Sequence, residues 1–373
     1  MSTRILHVIN DISADMRYGG PAMNCLRHSK FLESEDNAVT VWGSYSSTPL
    51  AFDGSSKIFC ANKVYFPRYR FTFQFRISNV RSLFKAIKTS DIVHVHFARE
   101  INPVLASLIS IFLHKKLILQ THGMIVQNPK LFYKVWDFLF TNRIFSRASV
   151  VLPLQKMEEK DLRKFPINRF LIVPNGIEVK DSFDNIEMRD GIVFMSRIHE
   201  RKRADIFLES VNRIIDGGYI GSIGIYGEDA GYLPQLVELL RAKDELNWYK
   251  GGVSHQKAID ILAASELLIL PSHHEPFPMV VLESLTLGTP VIIMSDCGIA
   301  DTVAEIDPLF VCSSNPAEIA MKTFEIISKY RSVQLRSDLA RNAREIFSIV
   351  RTIEGFNRAY AIATNGDLNA QSF

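Results

Sequence analysis

Two carboxylates stand eight residues apart in Glu275-Pro-Phe-Pro-Met-Val-Val-Leu-Glu283. Pro276 and Pro278 do not suit a helix interior but do suit its start, so the sequence predicts a helix from about Pro278. Its first N–H groups, from Met279 onward, would be able to hold a diphosphate. Glu283, a turn or more inside, is placed to bind a hydroxyl pair such as a ribose diol, and Glu275 at the mouth would meet a sugar. Solvated carboxylates favoured by the helix dipole would read the same way. That alternative does not require Leu287-Gly288-Thr289-Pro290-Val291-Ile292, a helix end running into a buried strand.

A second cluster, Ser196-Arg-Ile-His-Glu-Arg-Lys-Arg203, follows a buried run. Arg197 and Lys202 would bracket one anionic group from a loop and from a helix's first turn. A departing diphosphate needs such a clamp because negative charge builds on it. A solvated basic helix start is the other reading, although cations there oppose the dipole. Gly19-Gly20-Pro21 offers a backbone turn that permits close approach of a phosphate or sugar, or is an ordinary tight turn. His122 stands between a buried run and Gly123, either as a hydrogen-bonding structural residue or as a functional one. His7, His94 and His96 fall within strands and read as structural. His273 and His274 lack metal-ligand spacing, so no metal is expected.

Residues 62–88 hold seven Lys and Arg, no acid, and seven Phe or Tyr, with Arg68, Arg70 and Arg76 among them. This mixture suits an anionic membrane surface or single-stranded nucleic acid, or is the basic face of a helix with core aromatics. The membrane is the preferred reading, and nucleic acid is not expected as a partner.

These residues need elements to place them. Short apolar runs alternate with helical stretches along the whole chain. Strands are expected at 4–10, 38–42, 92–96, 117–121, 150–153, 170–173, 192–196, 222–227, 246–249, 267–271 and 290–294. Helices are expected at 22–32, 202–216 and 255–264, with a helical stretch at 337–364 followed by no strand. Continuous apolar runs and βαβα order give an α/β fold with open, doubly wound parallel sheets and helices on both faces. Ligands bind beyond the carboxyl ends of such strands, where Gly19-Gly20, His122, Asn175-Gly176, Arg197 and Glu275 all fall.

A chain of 373 residues is suited to two domains. Residues 1–175 carry 24 Lys and Arg against 12 Asp and Glu, while 176–373 carry 19 against 28. The sign changes at Pro174-Asn175-Gly176, the expected hinge. The expected division is 1–175, 176–350, and a C-terminal helix at 351–373 crossing back to the first domain. No apolar run is long enough to span a bilayer, and the N-terminal run reads as a first strand rather than a secretion signal. The cysteines Cys25, Cys60, Cys297 and Cys312 show neither metal spacing nor a disulfide framework, which suits free thiols in a reducing, cytoplasmic setting.

Taken together, the motifs resemble the GT4 family of retaining glycosyltransferases. They are Gly19-Gly20, DIVHVH at 91–96, THG at 121–123, VPNGIE at 173–178, SRIHERK at 196–202, GGVSH at 251–255 and LPSHHEPFPMVVLESLTLGTPVI at 270–292. The last block matches the family's Glu-x7-Glu signature. The resemblance implies a GT-B fold, two Rossmann-like domains facing a cleft, with acceptor bound by the first and nucleotide-sugar donor (UDP or GDP) by the second. It implies catalytic roles for Glu275, Arg197, Lys202 and His122. Donor binding would fall to Gly19, Gly20, Val253, Phe277, Met279, Val280 and Glu283, with no cofactor or metal. The acceptor would be a glycan or lipid-linked glycan, and the product a bacterial surface polysaccharide made on the inner face of the plasma membrane. Pro278 stands where the family often has glycine, and Asp296-Cys297-Gly298-Ile299 replaces its later Gly-Gly turn. A sugar-nucleotide epimerase and a non-catalytic binder of anionic glycans are the competing readings.

Overall fold

A computed structural model of the chain describes residues 3–12, 19–33, 37–45, 57–62, 77–126, 129–178 and 189–365. The chain divides into two compact units, Met1–Asn175 with Ile349–Phe373, and Gly176–Ser348.

In the first unit the strands are β1 (Arg4–Asp11), β2 (Ala38–Tyr45), β3 (Lys57–Asn62), β4 (Ile92–His96), β5 (Lys116–Gln120) and β6 (Val150–Leu152). They form one parallel sheet in the order β3-β2-β1-β4-β5-β6. The connecting helices are α1 (Gly19–Glu33), α2 (Ile77–Thr89), α3 (Ile101–Phe112), α4 (Leu131–Trp136), α5 (Asn142–Arg147) and α6 (Lys156–Leu162). β4 is buried at every position, as expected of a central parallel strand covered on both faces.

The second unit repeats the plan with β7 (Ile192–Met195), α7 (Ala204–Asp216), β8 (Ile223–Tyr226), α8 (Leu233–Arg241), β9 (Tyr249–Gly251), α9 (His255–Ala264), β10 (Leu267–Leu270), α10 (Met279–Thr286), β11 (Val291–Met294), α11 (Ala300–Ile306), β12 (Val311–Cys312), α12 (Pro316–Lys329) and α13 (Val333–Ile346). Its sheet runs β12-β11-β10-β7-β8-β9. Numbered within each unit, both sheets have the order 3-2-1-4-5-6 or its reverse. The strand order therefore reverses between β1 and β4 in one unit and between β7 and β10 in the other, the places where doubly wound sheets bind ligands.

The last helix, α14 (Ile349–Asn365), is a member of the first unit. Its Ile353, Phe356, Ala359 and Tyr360 are buried with Ile5, Ile92, Ile118 and Val150. Gly355 faces Val173 so closely that an added Cβ would lie 2.9 Å from a Val173 methyl.

Several expected elements are corrected. Residues 170–173 do not form a full strand. Only Phe170 bridges Val151, and the backbone then bonds alongside β6 through Leu171 N–H to Val151 O and Val173 N–H to Pro153 O. The expected strand at 246–249 is a 3₁₀ turn, Leu246–Trp248, because Trp248 N–H folds back to the Glu245 carbonyl, and strand pairing begins at Tyr249. The helix expected from Lys202 begins at Ala204, because Arg203 adopts a left-handed conformation (φ 53°) and ends a separate 3₁₀ turn, Glu200–Lys202. The helical stretch 337–364 is broken at Phe347–Ser348, where the chain bonds Ile177 and leaves the second unit. The short strands β3 and β12 were not expected. Gly19 and Gly20 open α1 instead of preceding it, with Pro21 tolerated in that first turn because its missing N–H has no helical partner there.

Candidate active site

In the second unit, β7 ends at Met195 and the chain must pass close to β8. It does so at Gly227, whose φ is 156° and whose missing Cβ would fall on the Ser196 carbonyl. Ser196 N–H donates to Tyr226 O (3.0 Å) and Ile198 N–H to Glu228 O (2.8 Å), and Arg197 between them stays exposed. The His199 side chain then accepts the Arg201 N–H (3.1 Å), closing the turn that presents Lys202.

Lys202 Nζ donates to Glu275 Oε2 at 2.5 Å, and both side chains are largely buried. Arg201 approaches the same oxygen at 3.7 Å, and His273 N–H donates to the Arg201 carbonyl at 2.9 Å. The loops after β7 and β10 are thus tied by backbone and side chain together. A third loop, after β11, braces them. Gly298 N–H donates to the Glu275 carbonyl (2.8 Å), while Asp296 accepts the His274 N–H (3.1 Å) and pairs with His273 (2.6 Å). His274 sits at φ 46°, a left-handed conformation that this bracing has to maintain.

Pro278 is the N-cap of α10 and Met279 its first residue, so a helix N-terminus opens beside Glu275. Phe277, Met279 and Val280 are half-buried against the unit's core. Glu283, in the second turn, lies 3.9 Å from His255 Nδ1 and is mostly buried. Val253, after β9, is exposed. Of the two residues expected to bracket one anion, Lys202 comes from a 3₁₀ turn rather than a helix and is held on Glu275, and Arg197 is exposed in the loop after β7.

In the first unit, His122 follows β5 at φ 50° and is buried, with Gly123 at φ 70°. Its turn is fixed by Glu158, which accepts hydrogen bonds from Thr121 Oγ1 (2.5 Å), Gly123 N–H (2.5 Å) and Leu154 N–H (2.6 Å). Burial nevertheless outweighs these bonds and raises the Glu158 carboxyl. His122 Nε2 meets His96 Nδ1 at 2.7 Å, His96 Nε2 meets His7 Nδ1 at 3.2 Å, and His7 Nε2 meets the Tyr360 hydroxyl at 3.4 Å. That hydroxyl also meets His94 Nδ1 at 3.0 Å. Burial lowers His7 and His122 to about 3. It holds His28, His94 and His96 well below the usual imidazole range, with neighbouring imidazoles adding to it. These rings are therefore neutral, and each contact needs one N–H and one lone pair. The tautomer of His122 is fixed in step with the others, and among the described residues its Nδ1 has no partner.

Glu158 and Tyr360 had no part in the sequence reading, and His7 and His96 entered it only as structural residues. The alternation His94-x-His96 on a strand was the available signal, since it puts both rings on one face of β4. Among the described residues, two trios bring ligand-capable atoms within 4.8 Å of one another, His7/His94/His96 and His273/His274/Asp296. The buried trio directs nitrogens to one another, to Tyr360 and to His122. The exposed trio adjoins Glu275 and is the better fit to a divalent ion. Gly19 and Gly20 lie at the start of α1, and 63–76, with Arg68, Arg70 and Arg76, falls outside the described residues.

The profile of "Glycosyl transferases group 1" matches residues 178–346, and that of "Glycosyltransferase Family 4" matches 18–181. The chain belongs to the family 4, group 1 glycosyltransferases. This transferase is 24% identical to the putative teichuronic acid biosynthesis glycosyltransferase TuaC of Bacillus subtilis (strain 168) over 295 residues, covering 74% of this chain and 71% of TuaC. It is similar in structure to HepE of Anabaena in complex with UDP-glucose, with a TM-score of 0.74 at 14% identity over 96% of this chain and 99% of that one. Sucrose-phosphate synthase of Thermosynechococcus elongatus gives 0.72 at 14% over 98% and 100%. The transferase has the α/β GT-B fold. No helix among its described residues is long and apolar enough to cross a membrane.

Proposed function

We propose that this glycosyltransferase moves a sugar, with retention of configuration and without a metal, from a UDP- or GDP-sugar to a glycan or lipid-linked glycan of a surface polysaccharide. The observation that carries the reading is the Lys202–Glu275 ion pair at the switch point of the second sheet, beside the N-terminus of α10. The donor's diphosphate lies against that terminus and takes Lys202 away from Glu275. Arg197 joins it, and the charge that develops on the leaving nucleotide is met by fixed cations. Glu275, released from Lys202, accepts hydrogen bonds from the sugar near the reacting carbon. Glu283 accepts them from the ribose, Phe277 and Val280 line the pocket, and the backbone at Val253 holds the base.

The first unit carries the acceptor, and His122 offers Nδ1 to a sugar hydroxyl. The complex of HepE with UDP-glucose supports a UDP-sugar, and the name of TuaC supports a surface glycan. Basic charge in the first unit suits an anionic or membrane-borne acceptor. Thermal stabilisation by a panel of UDP-, GDP- and ADP-sugars tests the donor, since ligand at about 100 times its Kd adds about 2.7 kcal/mol. The anomeric signal of the released sugar tests retention. Stabilisation by no nucleotide sugar defeats the reading.

A further inference from the structure

From Leu131 to Arg147 the chain is continuously helical, with a π-helical turn at Asp137–Thr141 between α4 and α5. Leu131, Phe132, Val135, Phe138 and Leu139 are all exposed, Leu131 and Phe138 by 76% and 77%. Their spacing places them on adjoining rows of one helical face. Met124 and Val126, in the preceding loop, are exposed as well. A soluble surface scatters such residues singly, and a contiguous patch marks an interaction site.

The charges around the patch have one sign. Residues 124–147 contain Lys130, Lys134, Arg143 and Arg147, all exposed, and one acid, Asp137. Asp137 is neutralised by Arg99 in a bidentate pair at 2.8 and 2.9 Å. The same guanidinium donates to the Val126 carbonyl (2.8 Å) and lies over the Tyr133 ring (5.6 Å). The apolar face is therefore pinned to the first unit at its centre, and its outward potential is positive.

We propose that this face docks on the anionic surface of a lipid bilayer, with Leu131, Phe138 and their neighbours entering the headgroup boundary and the four cations meeting lipid phosphates. A second copy of the chain is the poorer occupant, because a twofold interface would set these cations against themselves. The docking rests on the proposed lipid-linked acceptor for its purpose, but its binding is measured without transfer. It is a different segment from 62–88, of which α2 buries Leu83, Ala86 and Ile87 in the core.

The test sediments the full chain with vesicles of equal parts phosphatidylglycerol and phosphatidylcholine, and with phosphatidylcholine alone. Wild type is expected to sediment with the first, weakly with the second, and to be released by salt. Leu131→Ser/Phe138→Ser, and separately Lys134→Glu/Arg143→Glu, should each lower vesicle affinity about tenfold or more while donor hydrolysis is unchanged. Wild-type sedimentation by both double variants overturns the proposal. So does indifference of the native chain to anionic vesicles at low salt. Loss of binding only in Arg68→Glu/Arg70→Glu/Arg76→Glu would assign docking to 62–88 instead, and a concentration-dependent dimer abolished by Leu131→Ser/Phe138→Ser would assign the face to a second copy. Docking without donor hydrolysis would sink the transfer reading and leave this one standing.

Discussion

Lys202 Nζ bonds Glu275 Oε2 at 2.5 Å, joining the loops that follow the two strands flanking the switch point of the second sheet. Removing either partner leaves the other partly buried with fewer bonds. Lys202→Ala and Glu275→Gln are each expected to reduce turnover about 10²–10³-fold, the usual cost of one preorganised charge partner. Circular dichroism should show both folded. Near wild-type turnover in both would remove the ion pair from the chemistry.

Glu283 is expected to act on binding more than on rate, because a ribose contact is equal in ground and transition states. Glu283→Gln should raise KM for the donor about tenfold with kcat changed far less, and calorimetry with the free nucleotide should show the same loss. A fall confined to kcat would contradict the assignment.

The buried imidazoles predict acid lability. His7 and His122 stand near 3 in the fold against about 6.5 when unfolded, and His28, His94 and His96 are shifted the same way. The unfolded chain thus binds more protons between those values. Stability is full above pH 6.5 and declines as pH falls towards 3, by about 1.4 kcal/mol per pH unit for each ring. Urea unfolding followed at several pH values should give that slope multiplied by several histidines. A flat profile between pH 6 and 4 would count against a neutral, buried cluster.

Glu158 joins three donors in the turn that presents His122. Glu158→Ala leaves them buried without an acceptor and should cost at least about 2–3 kcal/mol. The midpoint of urea unfolding measures this, with loss of donor hydrolysis expected at temperatures where the variant is still folded.

Catalysis is expected to survive excess chelator, since Lys202, Arg197 and the α10 terminus supply the charge a divalent ion would supply. Activity abolished by chelator and restored by magnesium or manganese would reverse this. His273→Ala and Asp296→Ala would then be the variants to examine.

The two carboxylates, the helix start near Pro278 and the alternation of buried strands were legible because each is a local pattern: a proline pair, a 2-residue or 3.6-residue period, a glycine after an apolar run. The Lys202–Glu275 bond was not, because it spans 73 residues and depends on strand order. Lys202 was misplaced in a helix because the left-handed Arg203 has no sequence mark. His7, His94 and His96 each looked like an isolated core residue. Only the register that sets His7 beside His94, and the return of Tyr360 from α14, makes a hydrogen-bonded chain of them.

That return has a consequence for synthesis. The core of the first unit needs Ile353, Phe356 and Tyr360, which leave the ribosome after every residue of the second unit has been made. Domains commonly fold in the order they emerge. Here the second unit, contiguous from Gly176 to Ser348, can close its core while the earlier-made half still waits for its last helix. Chains ending before Ile349 and released from the ribosome should hold a protease-resistant second unit and an unprotected first one, so the basic half with its exposed apolar face is the part that chaperones must cover longest.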